Sequence, residues 1–193
     1  MNTDFIKGVV VPMITPIDKD ELIDEAAIRS QVDYVIDGGV SGILLFGSNG
    51  EFYVVEEDEM ERGLKIVVDQ AAGRVPVYFG IGAISTKKCI RLAKMAVANG
   101  AASVSVLQPM FLKPTETELF THFKAIADAI PETPVLLYNN PGRVGYTLSA
   151  NLVDRLAHEV PNIVGMKDTS GDITQTSEFI RRNRDVDFKV FGG

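Results

Sequence analysis

The feature that most constrains the fold is an alternation of short, β-branched-rich runs with longer amphipathic segments, from residue 8 to residue 193. Such alternation is typical of repeated βα units. The short runs predict strands at residues 8–13, 42–46, 75–79, 103–107, 135–138, 163–166 and 188–191. Because single helical segments separate them and no hairpin signals occur, the pattern predicts an all-parallel sheet covered by helices.

The segments between the strands have recognisable helix ends. Helices are predicted at residues 25–36, 56–71, 86–98, 116–130, 149–158 and 173–183. Asp24 and Ser85 stand at N-cap positions, where a side-chain oxygen accepts a hydrogen bond from the first turn. Gly38-Gly39 and Gly100 follow two of the helices, as glycine commonly does at a helix end.

Both a doubly wound sheet and a (β/α)8 barrel are built from such units. Two details favour the barrel: no strand precedes a Gly-x-Gly-x-x-Gly fingerprint, and polar residues follow many strands rather than one switch point. We therefore predict one α/β domain over residues 1–193, a TIM (β/α)8 barrel of which the chain covers the first seven strands and six helices. Because such barrels need about 250 residues, we expect a fragment that ends before the last strand and the C-terminal helices; the alternative is that a partner covers the gap. Strands one and seven would then have unpaired edges.

Composition excludes several classes of protein. The net charge of −7 and the pI near 4.9 give no basic surface for nucleic acid. The single cysteine, Cys89, excludes an intramolecular disulfide framework. No signal peptide or membrane-length apolar run is present. We therefore expect a cytoplasmic protein that binds neither nucleic acid nor a membrane.

Lys167 is the first candidate for chemistry. It follows the apolar run Ile163-Val164-Gly165-Met166 and precedes a polar turn that starts at Asp168. Low-dielectric surroundings disfavour a charged amine, which makes the neutral, nucleophilic form accessible for Schiff-base formation with a carbonyl substrate. The alternative is a lysine that merely extends its amine into solvent at a strand end.

Tyr138 ends the strand that precedes the strand of Lys167. If alternate residues face inward, the inward set consists of Leu136, Tyr138, Ile163, Gly165 and Lys167. Gly165 would then leave room beneath the lysine. A phenol beside the amine can pass protons to and from a carbinolamine. An aromatic that only fills the barrel is the alternative.

A glycine-rich turn, Gly47-Ser48-Asn49-Gly50-Glu51, follows the second strand. Its glycines permit backbone N–H groups to approach a ligand closely, and Ser48 and Asn49 offer short polar side chains. That combination suits a carboxylate. An ordinary loop that caps the next helix is the alternative.

Three segments together indicate a family. With Gly47-Ser48-Asn49-Gly50-Glu51, Tyr138-Asn139-Asn140-Pro141-Gly142-Arg143 and Gly165-Met166-Lys167-Asp168 in order, the chain resembles the dihydrodipicolinate synthase and N-acetylneuraminate lyase family over essentially its whole length. The resemblance implies a (β/α)8 barrel, a class I Schiff-base aldolase, and a homodimer or homotetramer. It implies neither a metal nor a dissociable cofactor, because the protonated imine itself is the electron sink.

The resemblance also implies residue roles. Lys167 matches the lysine that condenses with the keto group of pyruvate or a 2-oxo acid. Tyr138 matches the tyrosine that relays protons, and Ser48 the hydroxyl that joins this relay. The expected substrate-binding residues are Gly47, Ser48 and Asn49 for the pyruvate carboxylate, together with Arg143 and Gly192.

Arg143 matches the arginine that contacts the carboxylate of aspartate semialdehyde in the synthases, a contact that suits a planar guanidinium. Its alternative is a solvated loop charge in a weak surface pair. Arg143 favours the lysine-biosynthesis activity, in which pyruvate condenses with an aldehyde.

Two departures keep other activities open. Phe111 stands where the synthases normally carry a second tyrosine, given across the dimer interface, and Asn49 stands where a threonine is usual. The first alternative is therefore an aldolase or dehydratase for a 2-keto-3-deoxy sugar acid or an N-acetylneuraminate-type substrate. The second is a non-catalytic relative that binds 2-oxo acids.

Overall fold

A computed structural model describes all residues from 1 to 193. Seven strands alternate with helices along the chain, as predicted. The strands are β1 (Val10–Pro12), β2 (Gly42–Leu45), β3 (Val77–Ile81), β4 (Ser103–Leu107), β5 (Val135–Asn139), β6 (Ile163–Asp168) and β7 (Lys189–Gly192). The helices are α1 (Glu25–Asp37), α2 (Glu57–Ala71), α3 (Thr86–Ala98), α4 (Glu116–Asp128), α5 (Pro141–Val144), α6 (Ala150–Glu159) and α7 (Ile173–Arg182).

The strands form one parallel sheet in the same order as in the sequence, from β1 to β7. A doubly wound sheet would reverse its strand order at a switch point. The sequential order therefore confirms the barrel-type arrangement and excludes the doubly wound alternative. β1 pairs only with β2, and β7 only with β6. Because all strands are parallel, the loops after their carboxyl ends meet at one edge of the sheet.

Two groups of buried side chains hold this arrangement. The larger core joins the helices to the sheet and includes Leu64 of α2, Phe123 of α4 and Leu156 of α6. A smaller inner cluster consists of Ile6, Leu44, Tyr78, Leu136 and Val164. Burial of aliphatic and aromatic side chains on both faces explains why the strands read as continuous apolar runs.

A bulge interrupts the pairing of β5 with β6. Val135 pairs with Ile163, but Leu136 pairs with Gly165, so Val164 is the extra residue. The predicted inward direction of Ile163 is therefore wrong: Ile163 belongs to the larger core, whereas Val164 packs in the inner cluster.

The helix ends agree with the predicted caps. The Asp24 carboxylate accepts a hydrogen bond from the Ala27 N–H at 3.0 Å, and the Ser85 hydroxyl accepts one from the Lys88 N–H at 3.2 Å. The short helix α5 was not among the six predicted helices. Its four residues begin at a proline and are followed by Gly145, whose φ of 90° lies in the left-handed region. A single helical turn has no periodicity for a sequence pattern to reveal. None of the helices has the length and apolar character required to cross a membrane.

Candidate active site

A cavity of about 580 Å³ lies on the inner face of the sheet, lined by strand residues and by the loops that follow several strands. Its walls include every residue that the sequence analysis predicted to be catalytic or substrate-binding, namely Gly47, Ser48, Asn49, Tyr138, Arg143, Lys167 and Gly192. Leu44, Tyr78 and Leu136 of the inner cluster form an apolar part of the same wall. A concave site with an apolar lining and a few converging polar groups is typical of small-molecule binding.

Lys167 and Tyr138 face each other across the β5–β6 ladder. They are register partners, and the Lys167 Nζ lies 4.9 Å from the centre of the Tyr138 ring. The Tyr138 ring is buried and Lys167 is partly buried. Gly165 provides the space at this position, because a Cβ there would lie 2.5 Å from the Lys189 carbonyl oxygen and 3.0 Å from Leu136 Cδ2.

The carboxylate of Asp168, the residue after Lys167, is hydrogen-bonded to other groups and not to the Lys167 amine. Asp168 follows Lys167 on β6 and is buried, and its Oδ1 accepts a hydrogen bond from Asn139 Nδ2 at 2.9 Å. Its Oδ2 accepts one from the Ser170 hydroxyl at 2.9 Å. Lys167 takes part in no salt bridge. The amine is thus available to a ligand in the cavity.

Ser48 brings a hydroxyl from the loop after β2 to the Tyr138 phenol. The two oxygens are 3.0 Å apart, within hydrogen-bond distance, although 90 residues separate them in the sequence. The Lys167 amine, the Tyr138 phenol and the Ser48 hydroxyl therefore line one cavity, with the tyrosine next to both other residues. This set can form a covalent bond to a carbonyl carbon and move the protons that the step requires.

The Ser48 loop is held tightly against the end of β1. The Thr15 hydroxyl donates to the Gly50 carbonyl at 2.7 Å, and a Cβ at Gly50 would lie 3.0 Å from the Met13 carbonyl oxygen. Phe46 and Glu51, at either end of the loop, both have a φ of 52°. Such positive φ values in non-glycine residues persist where surrounding contacts determine the backbone. The loop therefore presents Ser48 in one fixed position.

Arg143 reaches the cavity from α5. The residue is exposed and takes part in no salt bridge within the chain. A guanidinium with free donors at the wall of a cavity can form a bidentate contact with a carboxylate. No group of three or more His, Cys, Asp or Glu side chains that could hold a metal ion occurs in the chain.

Comparison with known proteins adds to this geometry. The sequence model of the Dihydrodipicolinate synthetase family matches residues 5–193. The chain belongs to this family. A curated relative, the 4-hydroxy-tetrahydrodipicolinate synthase of Salinibacter ruber, is 38% identical over 187 residues, which are 97% of this chain and 61% of the relative. The chain thus spans about six-tenths of the length of such curated relatives.

Solved structures of family members have the same fold. The dihydrodipicolinate synthase from Acinetobacter baumannii complexed with pyruvate aligns with a TM-score of 0.93 and 37% identity, covering 97% of this chain and 64% of that one. YagE, a prophage protein of the family from E. coli K12 in complex with pyruvate, aligns with a TM-score of 0.92 and 31% identity, covering 96% and 63%. The seven strands are therefore part of a TIM-barrel wall, as the sequence analysis predicted.

Phe111 lies apart from the cavity of this family member. It follows β4, its side chain is 89% exposed, and it is not among the cavity-lining residues. Its φ of 70° lies in the left-handed region. Within this chain, the segment after β4 thus brings no tyrosine hydroxyl to the cavity, whose hydroxyl-bearing lining residues include Tyr138, Ser48 and Thr169.

Buried amide side chains at this edge of the sheet were missed by the sequence analysis. Asn140 donates from Nδ2 to the Tyr138 hydroxyl oxygen at 2.8 Å. Gln108 accepts from the Asn140 backbone N–H at 3.2 Å and donates to the Tyr146 carbonyl at 2.6 Å. Asn139 donates to Asp168 and accepts from the Leu148 N–H at 3.0 Å. The only available signal was a pair of asparagines directly after an apolar strand.

Proposed function

We propose that this chain carries the catalytic residues of a Schiff-base lyase of the dihydrodipicolinate synthase type, which condenses pyruvate with an aldehyde. The observation that carries the proposal is the Lys167 amine beside a phenol that is hydrogen-bonded to the Ser48 hydroxyl, all within one cavity. Relatives named 4-hydroxy-tetrahydrodipicolinate synthase, at about 38% identity, support this class of reaction.

In the proposed first step, Lys167 Nζ attacks the keto carbon of pyruvate and forms a carbinolamine. Loss of water then gives a protonated imine, and loss of a methyl proton gives an enamine. The enamine carbon attacks the aldehyde carbon, and hydrolysis releases the product and regenerates the amine. Tyr138 acts as the general acid and base for these transfers, with Ser48 as its partner. Their 3.0 Å separation permits direct proton transfer.

The remaining cavity residues suit two carboxylates. Gly47, Ser48 and Asn49 form the fixed loop beside Tyr138, where backbone N–H groups and short polar side chains can bind the pyruvate carboxylate. Arg143 has free donors for a carboxylate on the aldehyde. Gly192 ends β7 and lines the same cavity, where it places a residue without a side chain.

The proposal includes the physiological setting. The aldehyde is aspartate semialdehyde, and the reaction serves lysine biosynthesis. We propose that residues 1–193 fold as one domain of a cytoplasmic protein that acts as a homodimer or homotetramer, without a metal or dissociable cofactor. The single continuous sheet and the common core of its helices support the one-domain part of this proposal.

A substrate panel tests the proposal. The protein is assayed for pyruvate-dependent consumption of aspartate semialdehyde, and for cleavage or dehydration of 2-keto-3-deoxy sugar acids and N-acetylneuraminate. We expect activity with aspartate semialdehyde, and Arg143→Ala is expected to raise KM for this aldehyde while leaving KM for pyruvate near the wild-type value. Activity with a sugar acid alone would favour the aldolase or dehydratase. Pyruvate binding without turnover of any compound would favour a binding protein.

A further inference from the structure

Asn140 is the one polar side chain besides Ser48 that touches the Tyr138 hydroxyl. It is 7% exposed and lines the cavity. Its Nδ2 lies 2.8 Å from the phenolic oxygen. Neither the Schiff-base chemistry nor carboxylate binding, as proposed above, uses this residue. Asn140 could either only fill space or direct the proton of the Tyr138 hydroxyl.

The local structure favours a role for Asn140 at the Tyr138 hydroxyl. Asn140 occupies the N-cap position of α5, and asparagine is among the best residues for accepting hydrogen bonds from the first turn of a helix. Here the side chain makes no such bond and turns to Tyr138 instead. Helix α5 therefore lacks the stabilisation of a side-chain N-cap, and the Asn140 side chain binds the Tyr138 hydroxyl instead.

The backbone of Asn140 is also held rigidly. Its N–H donates to the Oε1 of Gln108, a residue that is 1% exposed and also donates to the Tyr146 carbonyl. Its carbonyl accepts from the N–H groups of Arg143 and Val144, both at 3.1 Å. Because both backbone groups of Asn140 are paired, its Cα is held in place and its side-chain amide extends to Tyr138 from a fixed position.

We propose that Asn140 is a positioning residue that directs the Tyr138 proton toward Ser48 and stabilises the tyrosine oxygen when it has given that proton away. Because the amide N–H occupies one acceptor position of the phenolic oxygen, the tyrosine's own hydrogen points to the Ser48 hydroxyl, 3.0 Å away. A hydrogen bond to the charged form of a group is stronger than one to its neutral form. The amide therefore favours the transition states in which the tyrosine carries negative charge.

This inference rests on the proposed Schiff-base function, and the half-reaction with pyruvate alone tests it. The rate of imine formation is followed by borohydride trapping at timed intervals, in water and in deuterium oxide. Asn140→Leu removes the donor at nearly the same volume. We expect the rate to fall roughly 10- to 100-fold, as for a lost hydrogen bond to a charged group. The solvent isotope effect should rise, while the half-saturating pyruvate concentration stays near the wild-type value, because proton transfer rather than binding is impaired.

Two further variants keep the result interpretable. Asn140→Asp keeps the size but replaces the donor with an acceptor, and we expect it to slow imine formation at least as much. Asn162→Ala is the structural control: Asn162 is buried away from the cavity and donates to the carbonyls of Ala127, Ile130 and Thr133. We expect Asn162→Ala to lower stability without changing the isotope effect.

The outcomes separate this inference from the proposed function. No imine in the wild-type protein contradicts the proposed function itself. Imine formation at the wild-type rate and isotope effect in Asn140→Asp or Asn140→Leu overturns only the role of Asn140. An equal change of isotope effect in Asn162→Ala also overturns it, because the effect would then follow from general loss of stability.

Discussion

Tyr138 is the residue on which the candidate site is centred. Its hydroxyl is within 3.0 Å of Ser48 and 2.8 Å of Asn140, and its ring lies beside the Lys167 amine. One side chain thus joins the loop after β2, the end of β5 and the end of β6. Its ring packs in the core while its hydroxyl belongs to the polar network, so the two roles can be separated by mutation.

Tyr138→Phe is expected to slow turnover by roughly 10²- to 10⁴-fold, the range for lost acid–base assistance. The ring packing is retained, so the free energy of unfolding should change little. Steady-state kinetics with pyruvate and the aldehyde, and urea denaturation, measure the two quantities. Tyr146→Phe is the matched control, since the Tyr146 hydroxyl is buried but donates to the Pro109 carbonyl, and we expect turnover near the wild-type value. Full activity in Tyr138→Phe would show that the relay is assigned to the wrong residue.

Residue types and strand positions made much of the site predictable. Lys167, Tyr138 and Ser48 follow apolar runs that were predicted as parallel strands, and the carboxyl ends of such strands meet at one edge of a sheet. Asn140 could not be predicted in this way. Its contact depends on a side chain that turns from its own helix to Tyr138, and this turn depends on a backbone held by Gln108, 32 residues earlier.

At the scale of elements, β6 departs most from the expected pattern. Strict alternation predicted Ile163 on the inner face, but the bulge at Val164 shifts the register by one residue before Gly165. Lys167 still reaches the cavity because alternation is regular from Gly165 onward. The apolar residues on both sides of the bulge suit either face of a buried parallel strand, so no polar residue in the sequence marks the shift.

Gly165→Ala tests how closely β6 packs. A Cβ at this position would lie 2.5 Å from the Lys189 carbonyl oxygen on β7 and 3.0 Å from Leu136 Cδ2, so the strands must move apart. We expect a loss of roughly 1–3 kcal/mol in the free energy of unfolding, as for other overpacked sites, measured by urea denaturation. Gly142→Ala is the control, because its Cβ would meet only Asn140 Oδ1 at 3.8 Å. Equal stability of the two variants would argue against this packing.

The contact between α3 and α4 predicts a pH dependence. His122 on α4 is buried, its Nδ1 lies 2.8 Å from the Thr86 hydroxyl, and its Nε2 has no hydrogen-bond partner. Burial lowers the pKa of His122 from 6.5 to about 4. The unfolded chain therefore binds a proton more readily than the folded chain between these pH values. Stability from this group is fully present above pH 6.5 and is lost as the pH falls toward 4.

Urea denaturation from pH 7 to pH 4 measures this effect in wild type and in His122→Asn. Each pKa unit corresponds to about 1.4 kcal/mol, so the wild-type protein should lose more free energy of unfolding than the variant over this interval. His158→Asn is a comparison of opposite sign, because the hydrogen bond of His158 to the Asp154 carbonyl raises its pKa. We expect this variant to lose at least as much free energy of unfolding as the wild type over the same interval. If the free energy of unfolding falls equally with pH in wild type and His122→Asn, the pH dependence does not come from His122.

At the scale of the whole molecule, the order of the strands was the most predictable property. Single helices between strands require parallel crossover connections, and polar residues after many strands favoured the barrel, in which consecutive strands lie side by side. The bounds of α3 and β4 agree with the prediction at both ends. The short helix α5, which carries Arg143, was missed because one turn gives no periodic signal. The order of the long helices and strands could thus be predicted from the sequence pattern, whereas the positions of short elements and side chains around the cavity could not.

The central claim is that Lys167 forms a Schiff base, and peptide mapping after borohydride reduction tests it most directly. The protein is incubated with pyruvate, reduced, digested and analysed by mass spectrometry. We predict one reduced pyruvate adduct on the peptide that contains Lys167, absent in Lys167→Ala and retained in Lys189→Ala, which removes a lysine of the neighbouring strand. An unmodified Lys167 peptide, or an adduct that persists in Lys167→Ala, would contradict the claim.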